Sequence, residues 1–191
     1  GVGCGILLCV CFALYLNRGM LRDALRFVTT ARDPSPDYRY RQVFEDNQSI
    51  IKKVLVVFQR IRSLRRIIRL EDFGSTRRYD IFLDRDPEPS LQVLWSRGEP
   101  PPDGIKTAEI LACAELLDIT EGQELVFDGK EFILRIERYG FGFSGRTKSI
   151  VWSCGGPDQP LETWVELDAM EEKIFYSELG EGWYIKDEIF H

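Results

Sequence analysis

The sequence predicts an α+β protein: N-terminal apolar and basic amphipathic helices, then a mostly antiparallel β meander with one helix, closing as a small barrel or sandwich. Three observations predict it. Residues 1–16 carry no charge, whereas the stretch from Asn17 to Arg78 is rich in arginine. Apolar residues between Ile50 and Ile68 recur at steps of three and four, the period of a helix face. Beyond Arg78 the period drops to two, with turn signals between short segments rich in β-branched and aromatic residues.

The opening run GVGCGILLCVCFALYL is shorter than the roughly 20 apolar residues that span a bilayer. The chain begins at Gly1 rather than Met, and residues upstream are expected to complete the span. Arg18, Arg22, Arg26 and Arg32 follow, and a basic flank marks the cytoplasmic side. Residues 1–16 are therefore read as a transmembrane segment, placing the bulk of the chain in the cytoplasm. A buried core helix is the plainer alternative.

Residues 17–70 form the expected basic helical region, broken at Pro34 and Pro36. From Tyr38 to Leu70 one helix is expected. Ile50, Val54, Val57, Ile61, Leu64 and Ile68 form its apolar stripe. Lys52, Lys53, Arg60, Arg62, Arg65, Arg66 and Arg69 form its basic face. Such a helix suits an anionic lipid surface, where each cation adds about 1 kcal/mol. It also suits a second protein subunit, or it simply covers a sheet. Nucleic acid is not expected, because interleaved aromatics are missing and the chain carries 25 Lys/Arg against 31 Asp/Glu.

Residues 71–191 are the expected acidic α+β domain, with the meander from residue 120. A chain beginning at Glu71 is expected to fold alone. RRYDIFLDRD and SLQVLWSRG read as strands and IKTAEILACAELLDI as a helix. QELVF, KEFILRIERY, KSIVWS, ETWVEL, KIFYS and WYIKDEIF read as further strands. Asp128-Gly129 predicts a type I′ hairpin.

GQELVFDGKEF, Trp152 and TWVEL together resemble a small bacterial β domain of the domain-of-unknown-function type, over residues 120–189. The resemblance implies a β fold and no chemistry.

RYGFGFSGRTKS contains G-x-G-x-x-G at Gly140, Gly142 and Gly145. A dinucleotide loop needs a helix behind it, and TKSIVWS alternates as a strand. A kinase glycine loop needs a catalytic lobe that the remaining length does not allow. The segment is thus a hairpin tip, with Phe141, Phe143 and Arg146 as candidate contacts for a partner.

The one histidine is His191, which removes Ser-His and Cys-His pairs. The five cysteines include no C-x-x-C, so neither zinc nor a disulfide framework is indicated. No catalytic set, cofactor or metal site is expected. Glu166, Asp168, Glu171, Glu172, Glu178 and Glu181 read as a solvated acidic surface. The function expected is that of a membrane-associated, non-enzymatic binding or accessory subunit. The alternatives are a carboxylate-based enzyme without an identifiable catalytic set, and a soluble partner-binding protein using the basic helix.

Overall fold

The structure, a computed structural model, describes residues 37–70, 77–84, 90–141, 144–157, 161, 165–167 and 172–190. The apolar run 1–16 and Phe143 lie outside the described residues. One compact unit spans Asp37–His191.

Helix α1, Asp37–Arg60, buries Tyr40, Phe44, Ile51, Val54, Leu55, Val57 and Phe58 along one side. It stops at Arg60, correcting the helix expected through Leu70. Leu64–Arg69 instead form strand β1. A β-bulge between Leu64 and Arg66 inserts one extra residue, so Leu64 and Ile67 both point inward. Ile68, the last residue of the expected stripe, turns to the opposite face, and it is the adjacent pair Ile67–Ile68 that lets an apolar step of three or four run on past the helix end.

The remaining elements are β2 (Arg78–Leu83), β3 (Leu91–Ser96), helix α2 (Thr107–Ile119), β4 (Glu124–Phe127), β5 (Glu131–Phe141), β6 (Ser144–Ser153), β7 (Val165–Leu167), β8 (Glu172–Gly180) and β9 (Trp183–Phe190). They form one nine-stranded sheet in the order β3-β2-β1-β4-β5-β6-β9-β8-β7, antiparallel throughout. The α+β class is as expected. The small barrel or sandwich is not: the sheet is open, with β3 and β7 at its edges. Two helices bury one face, so neither closure nor a second sheet is needed to cover it.

Cross-strand registration places Val93, Ile81, Ile67, Leu125, Leu134, Ile150, Ile185 and Ser177 in one row on that helix-covered face. Ile81 through Ile185 are all fully buried. Phe58 packs on Phe132 with ring centroids 5.6 Å apart, and Phe44 packs on Trp183 at 5.3 Å. Each such aromatic contributes about 3–5 kcal/mol by the cost of its truncation.

Helix α2 fits against α1 and the sheet. Glu109 accepts the Lys106 backbone N–H at 2.9 Å, satisfying one of the helix's orphan donors, and also pairs with Arg60. At the other end, Arg69 donates to the carbonyls of Leu117 (3.1 Å) and Glu121 (3.4 Å). A cation there complements the negative end of the helix dipole. The expected boundary at residue 70 therefore falls inside the compact unit. Residues 37–70 supply a core helix and a strand between β2 and β4.

At Asp128-Gly129 the hairpin forms, but Asp128 precedes the turn. Its N–H bonds Glu131, and Gly129 alone of the two central residues has positive φ (+99°). The expected I′ turn, which needs positive φ at both central residues, does not form; the Asp128 carboxylate instead accepts the N–H groups of Lys130 and Glu131, each at 2.8 Å.

Candidate functional site

The G-x-G-x-x-G segment is a hairpin: Gly140 faces Gly145 and Phe141 faces Ser144 across β5 and β6. The strand after it turns two cations toward α1. Arg146 grips Asp187 with two hydrogen bonds, one of 2.7 Å from Nε. Lys148 Nζ reaches Asp37 at 2.8 Å and Asp187 at 3.4 Å, and lies 5.2 Å from the Tyr40 ring centroid. The bond to Asp187 raises the Arg146 pKa above its ordinary value, outweighing burial. Arg41 donates to Ser177 Oγ at 2.8 Å. This cluster fastens the first turn of α1 to β6, β8 and β9. Arg146 thus sits in an internal ion pair.

One residue over in every strand, the far face of the sheet carries a different row. Asp80, Ile68, Glu124, Arg135, Ser149, Lys186 and Tyr176 are successive cross-strand neighbours there. Glu124 is buried and pairs with both Arg66 and Arg135. Lys186 Nζ pairs with Glu188 at 2.8 Å and lies 5.9 Å from the Tyr176 ring centroid. Thr147 donates to Glu188 at 3.0 Å. Tyr176 and Tyr184 meet edge to face at 6.4 Å. Ser149, in the middle, is fully buried.

The electrostatics of this row are set by burial and pairing together. Burial opposes the Lys186 charge, yet Glu188 and Tyr176 outweigh it and the ammonium pKa is raised. Burial raises the Tyr176 phenol as well, against the pull of Lys186.

Of the cations expected on one helix face, Lys52, Lys53 and Arg60 are on α1, Arg62 is in the connecting turn, and Arg65, Arg66 and Arg69 are on β1. Most are matched. Lys52 bonds Glu181 at 2.7 Å, Arg60 bonds Glu109, Arg65 bonds Asp84, Arg66 bonds Glu124, and Arg69 caps α2. Lys53 and Arg62 are exposed, with no ion pair among the described residues. A single basic face is therefore not assembled. Glu178 and Glu181 are exposed, as expected of a solvated acidic surface.

Sequence reasoning passed over Glu124, Arg135, Ser149, Lys186 and Glu188. The available signal was the charge alternation within RIER and KDE, inside segments already recognised as strands. Cys113, the one cysteine buried among the described residues, has its thiol pushed up to about 12 by desolvation. That thiol is inert at neutral pH.

Fold and site together define an open antiparallel sheet, layered by helices on one side and lined by ion pairs on the other. No family model, curated protein or solved structure matches the chain.

Proposed function

We propose that the chain is a non-enzymatic binding or accessory subunit held at a membrane, with the far face of its sheet as the surface that meets a partner subunit. One observation carries the recognition half: Arg66–Glu124–Arg135 and Lys186–Glu188 are partly buried ion pairs on the face opposite the two described helices. Such pairs add little net stability, because desolvation offsets their attraction. Their value is a fixed pattern of charge, which selects partners and orients encounter. Buried carboxylates held by two cations each, as Glu124 and Asp187 are, are restrained rather than free for acid–base work.

The membrane half rests on sequence: an uncharged run followed by arginines, oriented with the compact unit in the cytoplasm. No helix among the described residues is long and apolar enough to cross a membrane. Of the seven cations of the expected basic face, Lys53 and Arg62 are exposed with no ion pair among the described residues and are the ones offered to anionic lipid.

Alkaline carbonate extraction of membranes containing the full chain tests the anchoring. The chain is expected to stay in the pellet, and complete release would count against it. A photo-crosslinking residue at Arg66 should capture a partner subunit in those membranes, whereas one at Lys53 should not. Equal capture at both positions would remove the far face from the proposal.

A further inference from the structure

We infer that β3 pairs edge to edge with β3 of a second copy of this chain, antiparallel and centred on Val93. The direction of the backbone groups comes first. Arg78 C=O accepts from Leu70 N–H at 3.0 Å, on the β1 side, so Arg78 turns away from β3. Its neighbour Ser96 must then point outward, and its N–H indeed goes to the Glu99 carboxylate at 3.0 Å. Alternation along the strand turns Gln92 and Leu94 outward as well.

Natural edges are blunted by charge, proline, bulges or shortness. LQVLWS has no charge and no proline, and it pairs with β2 over six residues without a register shift. Leu94 is 53% exposed. The other edge, β7, has only three residues. At the end of β3, Glu99 closes the edge. Its N–H donates to Ser96 C=O at 3.1 Å, and its own carbonyl accepts from the Trp95 indole at 3.1 Å. Among the described residues, what stays available is a short window, Gln92 and Leu94, symmetric about Val93.

A two-fold axis at Val93 matches that window to itself. Gln92 of one copy meets Leu94 of the other, twice, and each pair exchanges two N–H···O=C bonds. The uncharged strand brings no like charges into opposition, the condition self-pairing requires. The helix-side row that ends at Val93 then runs on through Val93 of the second copy. An edge contact of this size belongs to the weak class of interface, with dissociation on the order of 1–100 µM.

Light scattering of the full chain in mild detergent should show the mass rise from one copy to two across that range. Leu94→Lys should weaken association at least about tenfold while leaving the melt cooperative. Register is read by disulfide formation with Cys4, Cys9, Cys11 and Cys154 replaced by serine. The two Val93 Cα atoms would lie about 4.5 Å apart, within disulfide reach, whereas Leu91 would face Trp95 of the second copy. Val93→Cys should therefore cross-link on mild oxidation and Leu91→Cys should not. A single-copy mass at every concentration, equal cross-linking from both positions, or association indifferent to Leu94→Lys would each overturn the inference.

Discussion

On the helix-covered face of the sheet, the row from Val93 to Ser177 is apolar through its centre and packed by Phe44 and Phe58. On the far face, displaced by one residue in each strand, the row from Asp80 to Tyr176 holds Glu124, Arg135 and Lys186. The first row is fully buried from Ile81 to Ile185, whereas the second mixes buried Glu124, Ser149 and Tyr176 with half-buried Asp80, Ile68, Arg135 and Lys186. They differ in what burial gains. Burying the first row yields about 25 cal/mol per Å² of apolar surface. Burying the second sets ion-pair attraction against desolvation, with little left over. The fold is held chiefly by the first face.

The sharpest way to break the comparison is to remove the helix that defines the first face. A chain beginning at Glu71 lacks α1 and β1, and is expected to show no cooperative melt, where the sequence alone pointed to autonomous folding. A stable, cooperatively melting product would mean the helix-side core tolerates loss of half its lining. Next in size is Phe58→Ala, which empties a fully buried site against Phe127 and Phe132. It should lower stability by about 3–5 kcal/mol in denaturant titration.

The far face should respond differently. Glu124→Gln leaves Arg66 and Arg135 facing each other without compensation, and a loss of about 3 kcal/mol is expected. Replacing all three by apolar residues of similar length should be close to neutral in the same titration. If the triple replacement costs as much as the single one, the row stabilises the fold and the contrast between faces is lost.

The smallest expected effect is alkaline. Lys186 has a raised pKa in the folded state, so its contribution is complete below the ordinary lysine value and fades as pH climbs through the folded value. Tyr176, raised by burial, resists ionisation in the fold, which also favours unfolding once free tyrosine would lose its proton. Both act in one direction. Stability should fall above pH about 10, and Lys186→Met with Tyr176→Phe should flatten that limb. An unchanged alkaline limb would show that neither group senses its partners.

Much of the architecture was legible. Helix α2 and strands β2, β3, β4, β7 and β9 fall within segments whose period and turn residues marked them, whereas β5, β6 and β8 run past theirs, into the glycine segment and the flanking turns. The G-x-G-x-x-G segment was recognisable as a hairpin because a strand-like stretch follows it. The end of α1 was hidden because adjacent Ile67 and Ile68 are both apolar, so a step of four from Leu64 reaches Ile68 although it is Ile67 that joins the core. Closure was misjudged because local alternation shows that one face is buried without showing what buries it. The charge rows were invisible for a related reason. Arg135, Lys186 and Glu124 become neighbours only through pairings between distant strands, and sequence spacing carries no record of register.

The position of β1 between β2 and β4 has a consequence for synthesis. Among the described elements, α1, β1, β2 and β3 leave the ribosome before the others, but β1 lacks one neighbour until α2 has been made and β4 follows. The wait recurs at β6, whose outer neighbour β9 is the last strand to appear. Long-range pairings of this kind slow folding, since loop closure precedes any reward. A nascent chain paused before Trp183 would expose the β6 backbone and leave Arg146 and Lys148 without Asp187. Strand β9 would thus be the piece that completes the sheet around β6, and a chaperone would have most to shield just before it arrives.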